Sequence, residues 1–389
     1  MVIRCRLKPW MFPVCYPNGS TGPSLREHVT AFAVTCARSF EIINIMIKKT
    51  LWFFLLVTLL LPSVGWCADQ ATVFVYHRFG DDRYPSTNIA VDVFEAQLAY
   101  LKQHDYQVMT LGQIVAARKS GTPLPERCAA LTVDDGYESF LTGAMPLLRR
   151  YHYPATLFVN SDSVGGNSYL DWPQLKALHE EGIEIGNHSA SHPYFVTQQQ
   201  KMPLEAWRTW ARQDIETAQQ LFEKHLGMKP ALFAYPYGEY SPQMMTLLKE
   251  MGFQAAVAQQ SGVISAQAEA FALPRFPMGG PFATLKGFTG KLAMRAMPVT
   301  VIAPTSPVID DNDPPTLRFQ LDTEQIVLSS LRCYVQGQDP VVPRLVDKEQ
   351  GVFEVVAEKP LAGRRNKYTL TAQGRKGGWG WFSQLWIHP

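Results

Sequence analysis

The segment TVDDG at residues 132–136 ends a short apolar run, 129–133, that has the composition of a buried strand. In parallel α/β folds, binding and catalytic groups lie at the carboxyl ends of strands. Two adjacent carboxylates at such an end can take different roles, because one can bind a metal ion while the other acts as a base. Asp-Asp-Gly is also a favourable turn sequence, so this segment alone leaves a purely structural role open.

Two further segments follow predicted strands in the same way. Residues 188–192 read HSASH and come after the run 183–186, and residues 233–240 read FAYPYGEY. Two imidazoles four residues apart can converge on one ion, and with a carboxylate they form the open three-ligand set of a catalytic metal site. Pro and Gly favour an unusual loop that can turn backbone N–H groups toward a site. A surface histidine pair and an ordinary turn remain alternatives.

The chain around these segments alternates strand-like and helix-like patterns from residue 71 to residue 258. This order predicts a parallel sheet covered by helices, either open or closed into a barrel. The predicted strands are 71–76, 129–133, 155–159, 183–186, 231–235 and 253–258, and the predicted helices are 93–104, 139–151, 172–181, 204–226 and 242–251.

The pattern changes near residue 290. Residues 298–315 contain five prolines and an aspartate-rich turn, and the runs that follow have no helical pattern. We therefore expect a catalytic α/β domain at 69–290 and a small all-β, sandwich-like accessory domain at 291–389. The β-rich runs are 316–320, 325–328, 333–335, 352–356, 367–371 and 382–387.

The N-terminal part differs from the rest of the chain. Two lysines precede the apolar run 51–61, and a polar exit follows it, which is the order of a secretory signal peptide. The run is shorter than the ~20 residues of a membrane-spanning helix. We predict a signal peptide at 46–68, with translation starting at Met46 and residues 1–45 arising from a start site placed too far upstream. The mature protein would then be exported, either periplasmic or secreted, with no stable membrane span.

Bulk composition excludes several classes of protein. With 46% apolar and 18% charged residues, the chain is neither disordered nor collagen-like. A formal net charge of +2 gives no case for nucleic-acid binding. Six cysteines in 389 residues are too few for a disulfide framework, although Cys128 and Cys333 could pair in an oxidising compartment.

Taken together, the three segments resemble the signature of the polysaccharide deacetylases of the NodB-homology type, carbohydrate esterase family 4. That signature reads T-F-D-D-G, H-[ST]-x-x-H and R-x-P-Y-G, and this chain has TVDDG, HSASH and AYPYG in the same order. The resemblance covers about residues 71–288. The pair Tyr76-His77, after the first predicted strand, is most similar to the branch that includes poly-β-1,6-N-acetylglucosamine deacetylases.

The resemblance implies a distorted (β/α) barrel and a divalent metal ion held by Asp135, His188 and His192. It implies that Asp134 is the general base and that the backbone N–H of Tyr237 stabilises the oxyanion. Among divalent ions, Zn²⁺ fits such a ligand set best, and Fe²⁺, Co²⁺ or Ni²⁺ would also accept it.

The chain departs from the family pattern at two places. Many members have an arginine where Ala234 stands, and Arg275 is the candidate that would orient the base instead, with an ordinary surface arginine as the alternative. The late Leu-x-His of many members, whose imidazole protonates the leaving amine, is missing from the sequence. The related branch uses an early histidine, so we assign His77 as the general acid, with a buried, hydrogen-bonded histidine as the alternative.

Five further residues are predicted to bind the substrate. A tryptophan in a sugar cleft offers a flat apolar face to a pyranose ring, although a tryptophan that opens a helix can equally pack into the core. The predicted substrate-binding residues are Tyr169, Asp171, Trp172, Pro236 and Gly238.

These observations predict metal-dependent removal of N-acetyl groups from a cell-surface or exopolysaccharide that contains N-acetylglucosamine. An esterase that removes O-acetyl groups from a glycan is one alternative. A non-catalytic carbohydrate-binding protein is another, and the presence of Asp134, Asp135, His188, His192 and His77 argues against it.

Overall fold

A computed structural model describes residues 70–310 and 312–389, which belong to one compact unit, Gly65–Pro389. The predicted signal peptide at 46–68 and the upstream segment 1–45 lie outside the described residues. Across the described ranges, none of the helices has the length and apolar character needed to cross a membrane.

The first part of the chain forms a parallel sheet and a small side sheet. Its strands are β1 (Gln70–Tyr76), β2 (Arg78–Phe79), β3 (Asn88–Ile89), β4 (Gln107–Val108), β5 (Cys128–Val133), β6 (Thr156–Val159), β7 (Glu184–Asn187), β8 (Leu232–Ala234), β9 (Ala255–Val257), β10 (Ile264–Ser265) and β11 (Phe276–Pro277). The main sheet has the order β10-β1-β5-β6-β7-β8-β9, with β4 beside β5 and β11 beside β1. Strand β10 is antiparallel to β1, and the other pairs in this sheet are parallel.

Helices connect these strands in the predicted alternation. They are α1 (Val91–Gln103), α2 (Leu111–Ser120), α3 (Met145–Tyr151), α4 (Trp172–Glu180), α5 (Phe195–Lys201), α6 (Leu204–Leu226), α7 (Pro242–Glu250) and α8 (Leu285–Leu292). The helix predicted at 139–151 is a π-helical turn, Phe140–Ala144, followed by α3. Helix α2 was not predicted, because it buries only Leu111, Ile114 and Val115 and has little apolar periodicity.

The last part of the chain, residues 294–389, is called the β unit below. Its strands are β12 (Met294–Ala296), β13 (Val299–Ala303), β14 (Leu317–Leu321), β15 (Ile326–Val335), β16 (Arg344–Asp347), β17 (Val352–Val355), β18 (Arg365–Gly374) and β19 (Trp379–Ile387). They form two four-stranded sheets, β12-β19-β18-β15 and β13-β14-β17-β16, that share one apolar core. The predicted all-β region is therefore confirmed as two packed sheets.

Three local expectations for the β unit differ from the structure. Strand β13 lies inside the proline-rich stretch 298–315. It fits there because it occupies the proline-free residues just before Pro304. The runs 325–328 and 333–335 belong to one strand, β15, whose register shifts between Val327 and Arg332. Cys128 and Cys333 are free, buried thiols in two different apolar clusters, so they do not form the disulfide considered from the sequence.

The β unit packs directly against the parallel-sheet domain. Leu385 and Ile387 of β19 belong to the same buried cluster as Phe195 and Trp207. The backbone N–H of Ala296 donates to the side chain of Gln70 at 3.1 Å. The domain boundary predicted at residue 290 remains a prediction, because side chains from both sides of it share one core.

Gly186 allows β6 and β7 to approach each other just before His188. A Cβ atom on Gly186 would lie 2.2 Å from the ring of Phe158, its fully buried register partner on β6.

We expect Gly186→Ala to destabilise the fold by about 1–3 kcal/mol, because the rigid ring of Phe158 cannot move in a packed core. Thermal unfolding measures this. Gly290→Ala in α8 is the control, because its methyl group would meet open space. This change should raise the free energy of unfolding by about 0.5–1 kcal/mol. An unchanged melting temperature for Gly186→Ala would contradict the expectation.

Candidate active site

The three chemical segments meet at one edge of the sheet. Asp134 and Asp135 follow β5, His188 follows β7, and the turn at Pro236–Gly238 follows β8. Because β5, β6, β7 and β8 are consecutive parallel neighbours, their carboxyl ends lie side by side.

Asp135, His188 and His192 form a compact triangle of donor atoms. The Oδ1 atom of Asp135 lies 3.3 Å from Nε2 of His188 and 3.4 Å from Nε2 of His192, and the two Nε2 atoms are 3.2 Å apart. Ligands about 2.0–2.1 Å from a tetrahedral ion would be about 3.3–3.4 Å apart. The spacing and chemistry of these three groups therefore fit a divalent metal ion, and they form a potential metal-ligand cluster among the described residues.

The surroundings of His188 fix which ring nitrogen faces the triangle. Its Nδ1 lies 2.7 Å from the backbone carbonyl of Ala234, so Nδ1–H donates to that oxygen. The lone pair of Nε2 then points to the shared centre. A histidine ligand whose second nitrogen donates to a carbonyl is typical of metal sites, because that bond fixes the tautomer and the ring direction.

Asp214, on α6, holds the loop between the two histidines. Its carboxylate accepts the backbone N–H of Ala190 at 3.0 Å and both the N–H and the hydroxyl of Ser191, at 3.2 and 2.5 Å. Two residues of this loop, Ser189 and His192, have positive φ angles of 67° and 51°. These bonds stabilise a strained backbone that brings both imidazoles to one point.

Burial and charge set the protonation of these ligands. Burial alone would raise the pKa of Asp135, but His188, His77 and His192 outweigh it and hold this pKa below its ordinary value. Burial and the neighbouring His188 lower the pKa of His192 to about 4, so its ring is neutral near pH 7. Burial opposes protonation of His188 too, yet its hydrogen bond to Asp135 raises its pKa, so metal binding at Nε2 would displace a proton from this ring. An ionised carboxylate and a neutral imidazole are the forms that bind metal.

Asp134 and Arg275 form a fully buried, two-pronged ion pair beside this triangle. Nη1 and Nη2 of Arg275 donate to the two carboxylate oxygens at 2.7 and 2.8 Å. Nη1 also donates to the hydroxyl of Thr132 and Nε to the carbonyl of Ala258, at 3.0 and 3.2 Å. Burial raises the pKa of Asp134, but Arg275, His188 and His77 outweigh it, so the carboxyl stays ionised. Arg275 is therefore the arginine that orients Asp134, and the alternative of an ordinary surface arginine is wrong.

His77 directly follows β1, next to the end of β5. It is partly buried, and its charge helps to lower the pKa of both Asp134 and Asp135. His77 therefore lies beside the two aspartates, on the opposite side of β5 from β7. Its role as general acid remains a prediction.

The turn at 236–238 has a backbone that few residues adopt. Tyr237 has a φ angle of 59° and Gly238 one of 70°. A Cβ on Gly238 would lie 2.3–2.5 Å from atoms of Gln259, so glycine is required there. The ring of Tyr237 meets the ring of His192 edge-on at 4.5 Å. Pro236 and Gly238 are buried within the turn, and their predicted role in substrate binding remains a prediction.

Of the other predicted substrate-binding residues, Tyr169 lies near the metal-ligand cluster, whereas Asp171 and Trp172 make contacts elsewhere. The ring of Tyr169 packs on Tyr137 at 4.8 Å, and burial followed by the charge of Asp135 raises the pKa of Tyr137, so this pair adjoins the centre. The carboxylate of Asp171 caps α4 by accepting the N–H of Gln174. Trp172 packs on Phe222 and on His225. The contacts of Trp172 match the alternative of a tryptophan that packs inward, and substrate binding by Asp171 and Trp172 remains a prediction.

Sequence reasoning missed three residues that shape the site: Asp214, Glu239 and Arg364. Glu239 is almost fully buried and pairs with Arg364, which is 125 residues away. No local pattern connects two such residues. Asp214 lies within a predicted helix where it looks like an ordinary exposed acid, and only the packing of α6 on the histidine loop shows its role.

Comparisons with known proteins agree with this geometry. Residues 121–256 match the family model described as polysaccharide deacetylase. A poly-β-1,6-N-acetyl-D-glucosamine N-deacetylase of Staphylococcus epidermidis is 23% identical over 213 residues, which cover 53% of this chain and 73% of that relative.

Solved structures show the same fold. IcaB from Ammonifex degensii is 26% identical, with a TM-score of 0.50 over 58% of this chain and 97% of that one. The deacetylase PplD from Streptococcus pyogenes, in complex with acetate, is 18% identical, with a TM-score of 0.52 over 57% of this chain and 98% of that one. The predicted fold class, a distorted (β/α) barrel followed by an all-β region, is confirmed.

The buried ion pair predicts how stability depends on pH. Asp134 has a lowered pKa in the folded state, so its stabilising contribution is present above the unfolded pKa and is lost as pH falls through the folded pKa. Arg275→Lys keeps the charge but loses one of the two bonds, so this folded pKa should rise toward the unfolded value. The loss of stability on acidification should then be smaller than in the wild type and should end at a higher pH. We expect about 1–3 kcal/mol of destabilisation at pH 7, measured by denaturant unfolding between about pH 3 and 7.

Arg149→Lys is the matched control, because Arg149 pairs with Glu181 on the exposed surface. The free energy of unfolding of Arg149→Lys should depend on pH as it does in the wild-type protein. If Arg275→Lys also keeps it, the pair does not control the ionisation of Asp134.

Proposed function

We propose that this chain, whose residues 121–256 match the polysaccharide deacetylase family model, is an amide-bond hydrolase that removes N-acetyl groups from a cell-surface or exopolysaccharide containing N-acetylglucosamine. The observation that carries this proposal is the Asp135, His188 and His192 triangle beside the Asp134–Arg275 pair. Metal ligands and a fixed, ionised base adjoin at one edge of the sheet. The Staphylococcus epidermidis relative, named for poly-β-1,6-N-acetyl-D-glucosamine, supports the substrate class.

Asp135, His188 and His192 would hold one divalent ion. Two imidazoles and one carboxylate fit Zn²⁺ best, and Fe²⁺, Co²⁺ and Ni²⁺ accept the same donors. When bound, such an ion lowers the pKa of a water molecule and polarises an acetyl carbonyl.

The side chains around the ligands supply the proton transfers. Asp134 accepts a proton from the attacking water, and Arg275 keeps its carboxylate ionised and fixed in direction. The backbone N–H of Tyr237 donates to the acetyl oxygen as that atom gains negative charge. His77 donates a proton to the leaving nitrogen, and the C–N bond breaks to give acetate and a free amine.

Acetate release tests this function. The zinc-loaded protein is incubated with β-1,6-linked and β-1,4-linked N-acetylglucosamine oligomers and with an O-acetylated xylan oligomer. We expect release from the N-acetylated oligomers, none after chelation, and recovery when zinc is restored. Asp134→Asn should keep the zinc and lower turnover by at least about 100-fold, since it removes the base but no ligand.

Each other outcome points to a different function. Release from the O-acetylated oligomer alone would show a glycan esterase. Tight oligomer binding without release, in zinc-loaded protein, would show a carbohydrate-binding protein. Near wild-type turnover in Asp134→Asn would overturn the assignment of Asp134 as the base.

We also propose that the protein is exported, because residues 46–68 have the order of a signal peptide. Intact-mass analysis of the protein from its native host should show a mature chain that begins near Asp69. A peptide from 1–45 in that material would contradict the start at Met46. An unprocessed chain, or a lipid-modified Cys67, would contradict cleavage into a free exported enzyme.

A further inference from the structure

Two consecutive arginines, Arg364 just before β18 and Arg365 at its start, reach the turn that carries Tyr237. Nε and Nη2 of Arg364 donate to the carboxylate oxygens of Glu239 at 2.8 and 2.6 Å. Nη1 of Arg365 donates to the backbone carbonyl of Tyr237 and, at 3.1 Å, to the side chain of Gln259. The β unit therefore contacts this turn at two adjoining positions.

The Arg364–Glu239 pair is a fixed attachment rather than a loose surface contact. The side chain of Glu239 is 1% exposed, and a buried carboxylate needs a paired charge. Nη2 of Arg364 also donates to the hydroxyl of Thr197 at 2.7 Å, and the backbone carbonyl of Arg364 accepts the N–H of His388 at 2.8 Å. Both ends of Arg364 are thus held in place.

Stacked rings connect Arg364 to the metal-ligand triangle. The guanidinium carbon of Arg364 lies 4.2 Å from the centre of the Tyr194 ring. Tyr194 stacks on Tyr237 at 3.7 Å, with the two rings only 4° from parallel, and Tyr237 meets His192. The column Arg364–Tyr194–Tyr237–His192 runs without a gap from the β unit to a predicted ligand.

We propose that Arg364 is a positioning residue for the hydrolytic site, and that the β unit is a working part of this site rather than a separate accessory domain. Arg364 touches no reacting atom. It holds Tyr237 in its strained, positive-φ conformation and supports the ring of His192 through the stacked column. This inference rests on the proposed function, because it assigns the Tyr237 N–H to the oxyanion.

Two variants of the full-length protein separate positioning from simple charge balance. Arg364→Lys keeps Glu239 paired but loses the two-pronged geometry and the flat contact with Tyr194. The double variant Arg364→Met, Glu239→Gln removes both charges, so no buried carboxylate is left without a partner. For both, we expect kcat to fall by about tenfold or more while KM and bound zinc change by less than about twofold, because a misplaced donor affects the transition state most.

The substrates are N-acetylglucosamine oligomers and 4-nitrophenyl acetate, which reports on the hydrolytic centre without a glycan. Arg344→Lys is the matched control, because Arg344 pairs with Glu354 in the β unit and should leave kcat unchanged. A purely structural role for Arg364 predicts that the double variant regains wild-type kcat. Wild-type kcat in the double variant, or in Arg364→Lys, would overturn the proposal.

A failure of the proposed function gives a different result. In that case the wild-type protein cleaves 4-nitrophenyl acetate but no acetylated glycan, and the ester still measures the effect of Arg364. If the wild-type protein cleaves neither, a crystal structure of the double variant decides. Tyr237 moved out of positive φ would support the proposal, and an unchanged turn would overturn it.

Discussion

The site depends on one buried ion pair, Asp134 with Arg275. Both side chains are fully buried, so removing either charge would leave the other unpaired in the core. The pair joins the end of β5 to the residue just before β11, two segments that lie on either side of β1. It therefore does two things at once: it ties the sheet together where the site is built, and it keeps a carboxylate ionised beside the metal-ligand triangle.

The remaining geometry repeats this arrangement of a functional group held by a buried polar partner. His188 is oriented by the carbonyl of Ala234, and the histidine loop by Asp214. The turn of Tyr237 is held by Glu239 and Arg364. Several of these segments have positive φ angles, including Asp135, Ser189, His192 and Tyr237. Strained backbone persists only where its surroundings over-determine it, and here each strained segment has its own anchor.

Sequence reasoning succeeded where the signal is local. Strand ends follow from apolar runs, and the acidic, histidine and Pro-Tyr-Gly segments are each contiguous, so the fold class and the grouping of Asp135 with His188 and His192 could be predicted. Even Arg275 could be proposed, because a family arginine was missing at Ala234. The attachment of Glu239 to Arg364 could not, since it joins residues 125 apart through tertiary packing. The capping role of Asp171 could not be told from that of a ligand-binding acid, because the two look alike in sequence.

The position of β19 late in the chain affects when one buried cluster can form during synthesis. This strand is synthesised long after α6, yet Leu385 and Ile387 fill the same buried cluster as Trp207 on α6. A nascent chain therefore cannot complete this buried cluster until β19 has left the ribosome. Until then, the apolar side chains of α6 that share this cluster with β19 lack part of their packing. Such a delay is a disadvantage for a protein that folds during synthesis, but not for one that is threaded through a membrane before it folds.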